Sequence, residues 1–250
     1  MFIHSNYHKG QIIMFRAVFV LFLLCSFNVF AAEKAEQKLT FAAIENSEFN
    51  KFAARVIKAT YSKIDYDVDA LFLPGKRALQ MSSSGILDGE SNRVGAIAER
   101  YPTLIKVPTP FTEITATAFY IDDNISVRKR EDLAKYRLGV LNGVVFSKKI
   151  TKGYNSIGAN SVNALFKILQ NNRVDIVIFT EFSGQVEIAK NFKHTGIKSS
   201  PVALLKIPVF NYLHRKHRKL VPLVDAAIRE MLQTGEIDNI RRSVIGQLSS

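Results

Sequence analysis

Residues 73–93, LPGKRALQMSSSGILDGESNR, decide the fold expected for this chain. A Pro-Gly turn opens the stretch, and the apolar residues that follow have helix-compatible spacing. The run of serines ending in Gly85 then breaks the helix, and Ile86 and Leu87 lead into an Asp-Gly turn. The stretch therefore predicts a helix, a loop, a short buried strand and a turn.

That turn would deliver Arg93 to the carboxyl end of the predicted strand. Ligands in open α/β sheets lie in the crevice outside the carboxyl ends of the strands. A guanidinium is a planar fork of donors that suits a carboxylate or a phosphate. Arg93 is therefore a candidate for holding an anion, and Arg77 is the second cationic candidate. Both also have a structural interpretation, Arg93 as a surface arginine in a loop and Arg77 as a brace at the start of the helix.

The chain before this stretch alternates between strands and helices. Residues 39–44 predict a buried strand and residues 66–73 predict a second one. Between them, either Asn46 or Ser47 is suited to cap a helix over residues 49–57. The order β-α-β-α-β implies a parallel sheet with crossover helices.

The same order of elements starts again downstream. Strands are predicted at residues 115–121, 137–143, 174–179 and 209–214, and helices at residues 161–170, 181–190, 220–234 and 237–245. This repetition predicts a second unit of the same architecture. The apolar stripe of the 220–234 helix, which Gly235 closes, predicts core packing rather than a partner-binding face.

The first 31 residues have the pattern of a secretory signal peptide. Lys9 and Arg16 are the only charges before an apolar run at residues 17–24, and residues 29–31 offer a small-residue cleavage site. The run is too short to span a bilayer, which takes a helix of roughly 20 residues. Met1 and Met14 both stay open as the true start. A mature, soluble protein in the periplasm is expected.

The composition argues against several function classes. The only cysteine, Cys25, falls within the predicted signal peptide, so neither disulfides nor thiol chemistry are expected. The formal net charge is +12, but the positive residues are spread along the chain without interleaved aromatics, which predicts a basic surface and no nucleic-acid site. His214 and His217 lie in a basic run and predict no metal site. Without a phosphate loop, dinucleotide fingerprint or nucleophile elbow, no cofactor and no catalytic residue is predicted.

A set of short motifs also occurs in a fixed order along the chain. The matching residues are Pro74, Arg77, Ala78, Leu79, Gly85, Leu87, Asp88, Gly89, Arg93, Tyr101, Pro102, Leu104, Ile105, Val107 and Pro108, followed by GVLNG at 139–143, LxxxRVD at 169–175 and TGEI at 234–237. In this combination the chain resembles the family 3 extracellular solute-binding proteins. More narrowly, it is similar to a divergent, stand-alone branch related to the amino-acid-binding components of ABC transporters. The resemblance covers nearly all of the predicted mature chain.

The resemblance implies an α/β, two-lobed periplasmic-binding-protein fold of type II, in which each lobe is a sheet flanked by helices and two hinge strands join the lobes. Residues 32–118 and 212–250 would form lobe 1, and residues 119–211 would form lobe 2. A monomer of this kind would bind a small polar or anionic, amino-acid-like metabolite in the cleft without changing it chemically. Closure of the hinge would then be read by a partner, either an ABC permease or a membrane sensor.

The candidates for lining this cleft are mostly the polar groups that follow the predicted strands. They are Arg93, Arg77, Glu45, Asn142, Gly143, Thr180 and Glu181, with Arg100 as the runner-up. The divergent branch has its arginine at the position of Arg93. The carboxylate-binding arginine of the amino-acid binders falls nearer Arg100.

The second lobe departs from the pattern of the amino-acid binders. Their ammonium-pairing acid corresponds to Thr180 here, with Glu181 next to it. Their hydroxyl-bearing turn corresponds to Val144 and Val145, which have no hydroxyl groups. These departures leave open whether the ligand is an α-amino acid.

Two other functions stay open on the sequence alone. A few relatives of these binders are dehydratases, and an enzyme on this fold would need a general acid or base from Glu45, Glu90 or Glu181. A sensory or envelope-interaction protein would instead recognise a partner without any small ligand. We expect a binding protein without catalytic chemistry.

Overall fold

The computed structural model describes residues 37–45, 47–95 and 97–247. The predicted signal peptide and Asn46 lie outside this part of the chain. None of the helices within it is long and apolar enough to cross a membrane.

Strands and helices alternate through the described residues. The strands are β1 (Gln37–Ile44), β2 (Tyr66–Leu73), β3 (Gly89–Val94), β4 (Leu104–Lys106), β5 (Thr112–Tyr120), β6 (Leu138–Leu141), β7 (Ser156–Ala159), β8 (Ile176–Thr180), β9 (Lys198–Ser199) and β10 (Leu205–His214). The α-helices are α1 (Glu48–Ser62), α2 (Gly75–Ser83), α3 (Ile97–Arg100), α4 (Val145–Ile150), α5 (Val162–Gln170), α6 (Glu181–Asn191), α7 (Val221–Gln233) and α8 (Glu236–Gln247). Short 3₁₀ helices span Arg130–Lys135 and Arg215–Leu220.

The strands join in the order β2-β1-β3-β10-β5-β8-β6-β7, with β4 added to β10 and β9 added to β5. One end is a parallel run in which β1 pairs with β2 and β3, and the other is a parallel run in which β6 pairs with β7 and β8. Between them, β10 is antiparallel to both β3 and β5, and β5 is antiparallel to β8. The strands β5 and β10 therefore connect two half-sheets, each built on a parallel run. We call β1 to β4 the first half and β6 to β9 the second half.

Helix α1 shows how local sequence builds the first half. Ser47 caps the helix, since its hydroxyl accepts a hydrogen bond from the backbone N–H of Asn50 at 3.3 Å. Phe52, Val56 and Ile57 follow at helical spacing and are fully buried. The predicted cap and apolar face are thus confirmed, with Ser47 as the capping residue.

Each half of the sheet has its own hydrophobic core. The core of the first half includes Phe41, Tyr61 and, from the predicted apolar stripe of α7, Val224 and Met231. That stripe packs into the core as predicted, except that Leu223 and Leu232 are exposed. The cores of the second half are built around β6, β8 and α5. Helix α6 is the exception, because two of its apolar side chains pack into the core of the first half.

The predicted position of the strand at Ile86 and Leu87 was wrong, because the strand starts a few residues later. Strand β3 begins only at Gly89, and the Ile86 side chain is exposed. The cause is Asp88, whose backbone N–H donates to Thr40 O at 2.8 Å while its carboxylate accepts from Thr40 N at 2.7 Å. These bonds align the chain with β1 from Gly89 onwards, so the Asp-Gly pair starts a strand instead of forming a turn.

Gly89 lies at a point of close contact between β3 and β10. A Cβ at this position would overlap with the carbonyl oxygen of Tyr212 and the ring of Phe41. We expect Gly89→Ala to lower the free energy of unfolding by about 1–3 kcal/mol through overpacking. Urea unfolding followed by circular dichroism measures this change. Gly246→Ala is the matched control, because a Cβ there meets nothing within 4 Å. Equal stability of the two variants would contradict the prediction.

Candidate ligand-binding site

The two half-sheets meet at the centre of β5. Ala116 pairs with Leu205 of β10 on one side and with Thr180, the last residue of β8, on the other. Four residues earlier, Thr112 pairs with Val209, which in turn pairs with Val94 at the carboxyl end of β3. The carboxyl ends of β3 and β8 therefore face each other across the middle of β5. This is the position at which open α/β sheets bind ligands.

A cavity of about 240 Å³ lies at this junction. Residues from both halves and from both connecting strands line it: Ser47, Phe49, Asn50, Glu113, Ile114, Thr115, Phe146, Thr180, Glu181, Phe182, Ser183, Ile207 and Arg241. The first turns of α1 and α6 thus both contribute to the cavity wall. Its wall combines aromatic and aliphatic surface with a few polar groups, which is typical of small-molecule sites.

Asn50 is the buried polar group on the side of the first half. Its side-chain amide donates to Ile44 O at 2.9 Å and its carbonyl oxygen accepts from Asn92 at 2.8 Å. The Ser91 hydroxyl in turn donates to Asn92 at 2.9 Å. This chain of hydrogen bonds ties the start of α1 to the ends of β1 and β3, and it holds the cavity wall in place.

Arg241 of α8 is the cation of the cavity. Its Nη2 donates to the Thr112 hydroxyl at 3.0 Å, and its guanidinium carbon lies 5.3 Å from the ring centre of Phe52 and 5.8 Å from that of Phe182. Its Nε is buried and has no hydrogen-bond partner in the described part of the protein. Cation–π contact of this kind contributes about 0.5–2 kcal/mol, depending on how far the cation is removed from water. The aromatic rings and Thr112 therefore fix the position of the charge.

Aromatic stacking joins the two halves beside the cavity. Phe182 of α6 stacks on Phe52 with ring centres 5.1 Å apart and meets Phe49 edge-on at 5.8 Å. Nearby, Lys190 of α6 forms an ion pair with Glu48 of α1 at 3.0 Å. Burial alone would raise the pKa of Glu48, but hydrogen bonds from Lys190 and Lys51 outweigh it and hold the pKa below its usual value. Helix α6 is thus the bridge from the second half to the first.

Comparison with solved structures shows the same arrangement of strands and helices. The L-cystine solute receptor of Neisseria gonorrhoeae, in its unliganded open conformation, matches with a TM-score of 0.70 at 16% identity, covering 85% of this chain and 94% of the receptor. Substrate-binding domain 2 of Lactococcus lactis GlnP, also open, matches with a TM-score of 0.64 at 16% identity, covering 83% of this chain and 94% of the domain. This protein has the type II periplasmic-binding-protein fold. The fold class expected from the sequence is confirmed.

Two further comparisons, one of structure and one of sequence, also found proteins similar to this chain. A histidine kinase sensor domain with similarity to periplasmic binding proteins matches with a TM-score of 0.56 at 12% identity, over 84% of this chain and 97% of the domain. An uncharacterised protein of Shewanella oneidensis is 24% identical over 200 residues, which cover 77% of this chain and 75% of the relative. No family model matches the sequence.

Two of the seven predicted site residues, Thr180 and Glu181, line the cavity of this binding-protein fold. Asn142 and Gly143 follow β6 and are exposed, and the Asn142 amide donates to Asn160 at 2.7 Å. Gly143 has a φ of 84°, a conformation that favours glycine. Neither of this pair is part of the cavity wall.

The predicted residues of the first half also lie outside the cavity lining. Glu45 follows β1 and is half-buried, and its backbone N–H donates to Leu73 O at 3.1 Å. Arg77 is exposed on α2, and the runner-up Arg100 is exposed at the end of α3. A direct role of these three residues in ligand binding stays a prediction.

The Arg93 side chain already has hydrogen-bond partners within the first half. Its Nε donates to Glu90 at 2.8 Å and its Nη2 donates to Gly75 O at 3.2 Å. Glu90 is fully buried and also accepts a hydrogen bond from the Ser82 hydroxyl at 2.6 Å. Burial raises the pKa of Glu90, and Arg93 and Ser82 offset only part of that rise. The Arg93 side chain therefore braces β3 against α2, and its role toward a ligand stays a prediction.

The sequence reasoning missed Ser47, Asn50 and Arg241 as residues of the cavity. One signal pointed to Arg241. Ile237 and Val244 are buried on the inner face of α8, and Arg241 lies four residues after the first and three before the second. A charged residue on the apolar face of an amphipathic helix departs from the usual pattern and marks a position where a partner or a ligand is to be sought.

Proposed function

We propose that this protein is a periplasmic solute-binding protein that captures a small polar or anionic molecule in the cavity between its two half-sheets. The observation that supports this most strongly is the cavity itself, because both halves and both connecting strands contribute to its wall. Proteins with the same fold include a receptor for L-cystine and a substrate-binding domain of GlnP.

The size of the cavity limits the ligand. A cavity of about 150 Å³ binds benzene, which has six non-hydrogen atoms, and this cavity of about 240 Å³ is larger. A molecule of about eight to ten non-hydrogen atoms would fill such a space. Amino acids and small organic acids are of this size.

The connection between the halves supports a signalling or delivery role. Residues 32–118 with 212–250 form one lobe and residues 119–211 the other in this proposal, and β5 and β10 act as the hinge. Helix α6 crosses the cleft through the stacking of Phe182 on Phe52 and the ion pair of Lys190 with Glu48. A ligand that contacts both walls would favour the closed state, and an ABC permease or a membrane sensor would recognise that state.

The proposed role needs no catalysis. Of the three carboxylates considered as a general acid or base, only Glu181 lines the cavity. Glu90 is buried against Arg93 and Ser82, and Glu45 lies outside the lining. The ligand is expected to be released unchanged.

A dye-based thermal-shift screen of residues 32–250 tests the proposal. The panel contains amino acids, polyamines, carboxylates and sugars. A ligand at 100 times its Kd stabilises the protein by about 2.7 kcal/mol, which raises the Tm by about 5–10 °C at this chain length. We expect one chemical class to give such a shift. No shift with any compound would contradict the proposal and favour a protein that recognises only a macromolecular partner.

Cavity-filling variants show whether the bound solute occupies the proposed site. Ser183→Phe places a large ring where the first turn of α6 lines the cavity, and it is expected to abolish the ligand-induced shift. Ser126→Phe is the control, since Ser126 is exposed and lies outside the cavity lining. A shift that survives in Ser183→Phe would place the binding site elsewhere.

A further inference from the structure

We propose that Arg241 of the last helix holds the carboxylate of the ligand, and that the ligand is a small monocarboxylic acid with a largely apolar body. This inference rests on the proposed function, since it assumes that the cavity binds a solute. It assigns the anion-binding role to a residue of α8 and not to Arg93, Arg77 or Arg100, the arginines predicted from the sequence.

Arg241 is the cation of the cavity that lacks a compensating charge. Among the described residues it forms no ion pair, and its one hydrogen bond goes to the neutral hydroxyl of Thr112. Arg93, by contrast, is paired with Glu90. The Nε of Arg241 is buried without a hydrogen-bond partner, which costs free energy unless another interaction compensates it. A ligand carboxylate would supply that compensation.

The geometry of Arg241 suits a planar anion. The rings of Phe52 and Phe182 hold the guanidinium, and Thr112 fixes one terminal nitrogen. The other terminal nitrogen has no hydrogen-bond partner in the described part of the chain, and Nη2 has a second hydrogen to donate. A guanidinium fixed in this way loses little freedom when it binds a carboxylate through two parallel hydrogen bonds.

The two acidic residues of the cavity wall, Glu113 and Glu181, do not neutralise Arg241. Glu113 is already paired with Lys206 at 3.3 Å. Glu181 occupies the first turn of α6, where the positive end of the helix dipole stabilises a carboxylate. Neither carboxylate forms an ion pair with Arg241, so among the described residues its guanidinium stays available to an anionic ligand.

The rest of the cavity wall favours a ligand with an apolar body. Ile114, Ile207, Phe49 and Phe146 contribute aliphatic and aromatic surface to the lining. A carboxylate uses three of the eight to ten non-hydrogen atoms that the volume admits, which leaves room for about one ring or a branched chain. Benzoate and 4-methylpentanoate have this size and shape.

The test compares acids with their neutral amides. Isothermal titration is carried out on residues 32–250 with benzoate, phenylacetate, 4-methylpentanoate and hexanoate, each beside its primary amide, and with inorganic phosphate. We expect at least one carboxylate to bind at least tenfold more tightly than its amide. Phosphate is expected to bind weakly, because it leaves the apolar wall without a contact.

Three variants then assign the interaction to Arg241. Arg241→Met keeps much of the stacking surface and is expected to weaken carboxylate binding at least tenfold. Glu181→Gln removes a negative charge from the cavity and is expected to strengthen it about two- to fivefold. Arg242→Met changes the neighbouring arginine, which is exposed and outside the lining, and is expected to leave affinity unchanged. If Arg241→Met does not fold, Glu181→Gln and the comparison of acids with amides still test whether the cavity prefers a carboxylate.

The outcomes separate this inference from the proposed function. Amides that bind as well as the acids, or equal binding by Arg241→Met and the unchanged protein, would overturn the role of Arg241 and leave solute binding intact. Tight binding of amines or sugars without any carboxylate would do the same. Failure of every compound, here and in the thermal-shift panel, would overturn both.

Discussion

Replacing Arg93 by methionine is expected to lower the free energy of unfolding by about 3–5 kcal/mol at neutral pH. The change leaves the Glu90 carboxylate fully buried without its cationic partner. Urea unfolding monitored by circular dichroism measures the loss. Arg77→Met is the matched control, since Arg77 is exposed and little or no change is expected there.

The pH dependence of this loss identifies Glu90 as its cause. The pKa of Glu90 is already raised by burial in the folded protein, and removing Arg93 raises it further. A carboxyl group with a raised pKa binds more protons in the folded state than in the unfolded state, so stability falls as the pH rises past the usual value of a glutamic acid. The deficit of Arg93→Met should therefore shrink as the pH is lowered toward the usual pKa of a glutamic acid, because the raised pKa lets Glu90 take up its proton earlier than an ordinary glutamic acid.

Arg93 also offers a direct test of the role predicted from sequence. Adding Glu90→Gln to Arg93→Met removes the buried charge and should restore part of the lost stability. If Arg93→Met were as stable as the unchanged protein and had lost only ligand affinity, the bracing role would be wrong and the ligand-binding role of Arg93 would be supported.

Replacing Phe182 by alanine is expected to cost about 3–5 kcal/mol, the range for removing a buried aromatic ring. The Phe182 side chain is 3% exposed and packs into the core of the first half although it belongs to α6. Its loss removes the stacking with Phe52 and one of the two rings that hold Arg241. We therefore expect lower stability together with weaker binding of any ligand that depends on Arg241.

The control for this prediction is Phe72→Ala. Phe72 is on the edge strand β2 and is 38% exposed, so its removal should change the unfolding midpoint far less. Equal losses in the two variants would show that Phe182 contributes only ordinary burial and does not connect the halves. A loss of stability in Phe182→Ala with unchanged affinity would separate the two roles assigned to the ring.

Local patterns in the sequence determined most of the architecture. The apolar run of β1, the cap at Ser47 and the stripe of α7 lead to the elements that form. The repeated strand-helix order led to two parallel runs, and the structure contains both. These features depend on neighbours a few residues apart, which is the range over which periodicity and capping operate.

The tertiary structure alone decided where the strand after α2 begins and what the arginines do. Gly89 joins the sheet because Asp88 bonds to Thr40, 48 residues earlier in the chain. Arg93 faces a buried glutamate, and Arg241 reaches Thr112 across 129 residues of sequence. Local spacing could place a guanidinium on a helix or strand but could not show which charges and rings surround it. The partners of such a charge are set by how distant segments pack, and only the folded chain brings the rings of Phe52 and Phe182 against Arg241.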